Sequence, residues 1–206
     1  MKQLFVAVAL SAVALAAQAQ VTFSGGTARA NFPNYDPTGP AGTLAPTGGF
    51  EDAAINTTAG TLTATFLGFE ALNIDTFTFS MGAFGTLNNR QALLSTISGF
   101  VNGGALNFRF EDMTGGGIGN GGNPGIDFLS YAVLGDFRQG TFFADTLGGT
   151  YDLILGFNDG LRVDADYDDI VIGLKVTPIP EPETYALMLA GLGALGFISR
   201  RRRKTL

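Results

Sequence analysis

The sequence contains no cysteine, no histidine and no tryptophan. Without cysteine and histidine the chain cannot form a Ser-His-Asp triad, a cysteine nucleophile or an ordinary zinc site. Without disulfides the fold must be held by its core, with or without the help of a bound metal. The remaining chemistry is that of carboxylates, of Lys, Tyr and Ser side chains, and of hard cations bound by oxygen.

Basic residues are scarce except at the extreme C-terminus. Residues 20–177 hold six basic and sixteen acidic side chains, a net charge of −10, against −6 for the whole chain. Nucleic-acid binding needs clustered cations, so we expect no nucleic-acid partner. An acidic surface of this kind suits solubility outside the cell or the binding of divalent cations.

The N-terminal segment 1–19 has the three regions of a secretory signal peptide. It opens with Lys2, continues as an apolar run over 4–17 and ends in Ala17-Gln18-Ala19, the small-x-small form that signal peptidase cleaves. We therefore predict a signal helix over 1–19, removed by signal peptidase, and a mature chain that begins at Gln20. An N-terminal core helix is the alternative, but the run lacks the polar face of an amphipathic helix.

In the C-terminal segment 178–206 the basic residues follow the apolar run, whereas in the N-terminal segment Lys2 precedes it. Three prolines make 178–183 stiff and extended, and an uncharged stretch follows over 185–199. Its 15 residues give about 22 Å of helix, against about 30 Å of membrane hydrocarbon. We predict a weak, temporary transmembrane helix over 185–199 in the inner membrane. The basic tail 200–204 stays in the cytoplasm by the positive-inside rule and consists of Arg200, Arg201, Arg202, Arg203 and Lys204.

The order of these parts carries a family resemblance. Pro180-Glu181-Pro182, then a short Ala/Leu/Gly run, then an arginine cluster, resembles the PEP-CTERM sorting signal, with Ile179 where that signal usually has Val. The resemblance implies a Gram-negative bacterium with an exopolysaccharide locus and processing by the membrane protease exosortase. It makes Pro180, Glu181 and Pro182 recognition residues and not catalysts. An ordinary tail anchor is the alternative.

Residues 20–177 show the period-two alternation of β-strands. Phe, Val, Ile, Leu and Thr recur on alternate positions, and Gly- and Pro-rich segments such as 31–49 and 114–125 separate the runs. We expect an all-β fold, an antiparallel β-sandwich or jelly-roll ectodomain over 20–177, with 114–125 as a flexible surface loop. Segment 90–101 suits a helix or a strand. The predicted strands are 61–66, 76–79, 106–110, 126–134, 141–144, 151–157 and 170–176.

A stretch rich in aspartate lies between the last two predicted strands. Calcium takes six to eight oxygen ligands, so this loop is a candidate calcium site. An EF-hand is excluded because, counting from Asp164, its Gly position is Asp169 and its final Glu position is Lys175. The stretch loosely resembles the D-x-D-[YF]-[ND]-D segment of several uncharacterised bacterial surface domains. A solvated acidic turn is the alternative. The candidate ligands are Asn158, Asp159, Asp164, Asp166, Asp168 and Asp169.

These observations lead to two function hypotheses. The first is a non-catalytic envelope or matrix protein, sorted by exosortase and associated with exopolysaccharide or biofilm. It has signal peptidase and exosortase as partners, the inner membrane as a transient one, and a final place at the cell surface or outside. The second is a secreted carbohydrate-active enzyme, or a carbohydrate-binding module, with the same tail. An enzyme would draw its two carboxylates from Glu51, Asp52, Glu111 and Asp112.

Overall fold

The structure is a computed structural model that describes residues 20–122, 129–136, 141–142, 145–160, 165–179 and 182–202. Contacts divide the chain so that Ala19–Ile179 form one compact unit, called the β domain below. The C-terminal helix belongs to another unit and is described by itself. The predicted signal helix over 1–19 lies outside the described residues.

The described residues of the β domain form seventeen short strands and two 3₁₀ turns. The 3₁₀ turns are Pro40–Thr43 and Ser80–Gly82. The strands are β1 Val21–Ser24, β2 Thr27–Arg29, β3 Gly48–Glu51, β4 Ala54–Thr57, β5 Gly60–Gly68, β6 Thr76–Phe79, β7 Thr86–Asn88, β8 Thr96–Val101, β9 Gly104–Ala105, β10 Phe108–Glu111, β11 Gly117–Gly119, β12 Ser130–Asp136, β13 Thr141–Phe142, β14 Asp145–Thr146, β15 Gly149–Thr150, β16 Leu153–Asn158 and β17 Ile170–Thr177.

The strands pair antiparallel in four sheets. The largest has eight strands in the order β2-β3-β12-β16-β17-β5-β8, with β13 beside β12. A four-stranded sheet has the order β11-β10-β6-β7, a three-stranded sheet the order β1-β4-β9, and β14 pairs with β15. The all-β prediction is therefore confirmed, whereas the jelly-roll connectivity stays a prediction.

The main core lies on one face of the eight-stranded sheet. Alternate side chains of β5, β16 and β17 pack there with phenylalanines of β6 and β10 and with Ile55 of β4. The other face carries a second, smaller core, in which Leu134, Ile154 and Val171 meet Phe32 and Leu44 from the segment that precedes β3. Because both faces are covered, the central strands β12, β16 and β17 are buried along nearly their whole length.

Each predicted strand overlaps a strand of the structure, in β5, β6, β10, β12, β13, β16 and β17, while residues 126–128 and 143–144 of two of these predictions lie outside the described residues. Segment 90–101, left open between helix and strand, ends in strand β8. The prediction of a flexible loop over 114–125 was wrong for its central part. Residues 117–119 pair with β10, and the Ile118 side chain is buried in the main core, because glycines on both sides let the backbone approach closely.

The C-terminal tail contains one helix, α1, over Pro182–Arg202. The predicted span 185–199 lies within it. Its described apolar side chains, such as Met188, Leu189, Leu192 and Leu195, are exposed. In the part of the chain that the structure describes, no helix has both the length and the apolar character needed to cross a membrane.

Candidate functional site

Three aspartates from two distant parts of the sequence meet in the β domain. One carboxylate oxygen from each of Asp75, Asp159 and Asp169 lies within 4.8 Å of the other two. Asp159 directly follows β16 and Asp169 directly precedes β17, and the pairing of Phe157 with Ile170 brings these strand ends together. Asp75 directly precedes β6, so the four-stranded sheet supplies the third carboxylate. These three residues are called the carboxylate cluster.

The backbone around Tyr167 holds the acidic segment against the large sheet. A Cβ atom on Gly156 would lie 2.1 Å from the Tyr167 carbonyl oxygen, so glycine at 156 is what permits this approach. Tyr167 has a positive φ of 65° and a fully buried side chain, whose hydroxyl donates to Glu51 Oε1 and accepts from Ser130 Oγ at 3.0 Å. This anchoring fixes the chain that leads into Asp169 and β17.

Hydrogen bonds fix part of the carboxylate cluster. The Asp159 backbone N–H donates to Asp169 Oδ2 at 2.7 Å, and Asn73 Nδ2 donates to Asp159 Oδ2 at 3.0 Å. Asn89 Nδ2 donates to Asp75 Oδ2 at 3.3 Å, and Asn89 Oδ1 accepts from the Asp75 N–H at 3.3 Å. Asp75 Oδ1 is buried and has no hydrogen-bond donor among the described residues. Apart from Asn89, the polar group that contacts the Asp75 side chain is the Asp159 carboxyl group, which has no proton to donate when it is ionised.

Burial and mutual repulsion raise the pKa values in the cluster. Burial, followed by the negative charges of Asp159 and Asp112, raises the pKa of Asp75 to about 8, and Arg90 opposes the change. Burial also raises the pKa of Asp169 to about 9, with added repulsion from Asp159, Asp75 and Asp166 against the effect of the Asp159 N–H. Neutral carboxyl groups, or a bound cation, relieve this repulsion.

Positive charge from the described residues balances the cluster poorly. Arg90 donates through Nη2 to the carbonyl oxygens of Leu72 and Asn73, and not to a carboxylate. Among the described residues the ion pairs are Arg29 with Glu51 and Arg109 with Glu111, and neither pair includes a member of the cluster.

The candidate ligands from the Asp-rich stretch have different surroundings. Asp159 and Asp169 meet in the cluster, and Asp166 lies close enough to raise the pKa of Asp169. Asp168 Oδ2 instead accepts from the Asp36 N–H at 2.5 Å, and Asn158 Nδ2 donates to the Gly160 carbonyl at 3.2 Å. Asp164 lies outside the described residues. The side chains of Asp166, Asp168 and Asp169 are buried rather than solvated.

Sequence reasoning missed Asp75. This residue stands alone between Ile74 and a strand, far along the chain from the Asp-rich stretch, and nothing in its local pattern singles it out. The sequence contained only a weak indication of this residue. Two polar residues, Asn73 and Asp75, stand two positions apart just before β6, where a strand of the four-stranded sheet begins.

The four carboxylates that an enzyme would use have structural contacts. Glu51 accepts from Arg29 Nε at 2.7 Å and from Tyr167, and Glu111 accepts from Arg109 Nε at 2.6 Å. Asp112 Oδ1 accepts the N–H groups of Thr114 and Gly116, both at 2.9 Å, and so closes a turn. Asp52 differs from these three, since burial, together with the charge of Glu51, raises its pKa to about 7.

The ends of the chain hold the predicted sorting residues. Pro182 is the first residue of α1, a position where the fixed φ of proline suits a helix, and the helix ends with Arg200, Arg201 and Arg202. The backbone N–H of Gln20, the predicted first mature residue, donates to Thr58 Oγ1 at 3.0 Å. Outside the described residues lie Ala17, Ala19, Pro180, Glu181, Arg203 and Lys204.

The tail matches a known family model. Residues 178–204 match the PEP-CTERM protein-sorting motif, which implies export and membrane-anchored sorting to the cell surface. The resemblance in the sequence is thus confirmed: the chain carries a PEP-CTERM protein-sorting motif over 178–204, which supports sorting by exosortase to the outside of the cell. Comparison with curated proteins and with solved structures gave no match.

Proposed function

We propose that this chain is a non-catalytic protein of the envelope or extracellular matrix of a Gram-negative bacterium. Signal peptidase removes 1–19, the inner membrane holds the tail for a time, and exosortase acts near Pro180-Glu181-Pro182. The β domain, a sandwich of jelly-roll type, then enters an exopolysaccharide or biofilm layer. The observation that carries this proposal is the match of 178–204 to the PEP-CTERM sorting motif.

The surroundings of the candidate catalytic carboxylates support a structural role. Glu51 and Glu111 each lie in an ion pair, and Asp112 closes a turn, so these three already have partners that stabilise the fold. A glycosidase needs two carboxyl groups that face one sugar, with one protonated at working pH. The raised pKa of Asp52 is the one observation that favours the alternative of a carbohydrate-active enzyme.

Processing of the tail tests the sorting step. In a bacterium that has exosortase, the full chain should lose its tail and reach the surface or the medium. A variant with Pro180→Ala, Glu181→Ala and Pro182→Ala should keep its full tail and remain in the membrane fraction. Glu183→Gln is the matched control, because it removes a neighbouring charge outside Pro180-Glu181-Pro182 and should be processed normally. Normal processing of the triple variant would overturn the sorting proposal.

Turnover of polysaccharide tests the non-catalytic role. The processed protein is incubated with exopolysaccharide from the same cells, and new reducing ends are counted. We expect none above the level of a buffer control, together with co-sedimentation of the protein with the polymer. Release of sugar that is abolished by Asp52→Asn would identify an enzyme and refute the matrix role.

A further inference from the structure

We propose that Asp75, Asp159 and Asp169 bind one calcium ion that joins the four-stranded sheet to the eight-stranded sheet. The proposal goes beyond sorting, because it concerns how the β domain is held together. It rests on the convergence of three carboxylates and on a separate observation at Asp75.

The separate observation is the state of the Asp75 side chain. Its exposed fraction is 0%, and the buried Oδ1 atom has no donor among the described residues. A buried carboxylate oxygen without a partner is strongly unfavourable, so native proteins satisfy such groups with a donor, a water molecule or an ion. Asp75 belongs to a cluster whose other carboxylates are also negative when ionised. A bound cation would give the buried Asp75 carboxylate a partner and would also reduce the repulsion among the three carboxylates.

The ligand atoms of the carboxylate cluster and the distances between them indicate calcium. All three groups offer oxygen, which is the ligand of hard cations, and the chain has no histidine or cysteine for softer metals. The three oxygens lie within 4.8 Å of one another, close enough for one cation to be held among them. Calcium accepts six to eight oxygen ligands in flexible geometry, whereas magnesium demands near-ideal octahedral geometry and keeps several of its waters, so an irregular set of three carboxylates favours calcium.

The position of the cluster gives the ion a mechanical role. Asp75 begins a strand of the four-stranded sheet, whereas Asp159 and Asp169 lie at the ends of β16 and β17 in the eight-stranded sheet. A single ion would link the start of β6 to the connection between β16 and β17, two segments that lie far apart along the chain. The chain has no disulfide to do this. Calcium therefore acts here as the cross-link between the sheets.

The test measures thermal unfolding of the full-length chain in EDTA, in calcium chloride and in magnesium chloride, with calorimetry for stoichiometry. We expect one calcium per chain, and a rise in Tm of about 5–10 °C at a calcium concentration about 100-fold above Kd. Magnesium should give a much smaller rise. No calcium binding, or an equal effect of magnesium, would overturn the proposal.

Two variants locate the site. Asp75→Asn keeps the shape of the side chain and mimics its neutral form, so it should fold in EDTA but lose the calcium-dependent rise in Tm. Asp36→Asn is the matched control, since it removes a carboxylate from an exposed loop outside the cluster and should leave the rise intact. Far-UV circular dichroism in EDTA confirms that both variants are folded. A full calcium response in Asp75→Asn, or its loss in Asp36→Asn, would place the ion elsewhere and refute the assignment.

Discussion

The rings of Phe110 and Phe157 lie parallel, with an interplanar angle of 4° and centroids 5.0 Å apart. Phe110 is on β10 of the four-stranded sheet and Phe157 is on β16 of the eight-stranded sheet. Phe110 also contacts Phe77 at 5.0 Å and Tyr131 at 6.2 Å between ring centroids. The stack is therefore the centre of the aromatic packing through which the two sheets meet.

Removing the Phe110 ring should destabilise the β domain strongly. Phe110→Ala leaves a large cavity in a fully buried site, so we expect a loss of roughly 3–5 kcal/mol in the free energy of unfolding. Urea unfolding of the full-length chain measures it. Phe100→Ala on β8 is the control, because that ring is half exposed and should cost much less. Equal losses in the two variants would refute the central role of Phe110.

Strands with one covered face were predictable from alternation alone. In β5, Leu62 and Ala64 are buried while Thr61 and Thr63 are partly exposed, as the period of two requires. The second core was not predictable, because it depends on Phe32 and Leu44 in a Pro- and Gly-rich segment without any period. That segment covers the outer face of the large sheet because of the tertiary fold, and no periodic pattern in its own sequence predicts this packing.

The same limit applies to the candidate site. Charge crowding within one stretch pointed to Asp159 and Asp169, which neighbouring antiparallel strands bring together. Asp75 comes from another sheet, and Asp168 is turned toward Asp36 by the path of the backbone around Tyr167. Neither fact follows from spacing, because both depend on how the two sheets pack.

Tyr131 should stabilise the fold through its hydroxyl as well as its ring. The hydroxyl donates to the Ala53 carbonyl at 2.6 Å and accepts from the Gly121 N–H at 2.8 Å, and the side chain is fully buried. Tyr131→Phe keeps the ring but leaves both partners unsatisfied, so we expect a loss of about 1–3 kcal/mol in urea unfolding. The control is Tyr185→Phe, at an exposed position of α1, which should leave the midpoint unchanged. If Tyr131→Phe leaves the free energy of unfolding unchanged, the two hydrogen bonds make no net contribution to stability.

Asp52 should make the β domain less stable as the pH rises. Burial, with the nearby charge of Glu51, raises its pKa to about 7 against the opposing effect of a hydrogen bond from the Tyr131 backbone, whereas the unfolded value is about 3.9. Between these pH values the folded chain holds a proton that the unfolded chain has released. The free energy of unfolding contributed by Asp52 is therefore full below about pH 4, falls as the pH rises to about 7, and is level above that.

Asp52→Asn removes this ionisation while keeping the shape of the side chain. Asparagine also tolerates the positive φ of 53° at this position, so the backbone should not be strained. We expect the variant to match the parent at pH 4 and to be more stable by roughly 1–2 kcal/mol at pH 8, a range that allows for solvent screening. Urea unfolding at both pH values in saturating calcium measures the difference. Asp36→Asn, which removes the same charge from an exposed loop, is the control for the loss of one negative charge. An equal gain at pH 4 and pH 8 would show that the effect is not ionisation of Asp52.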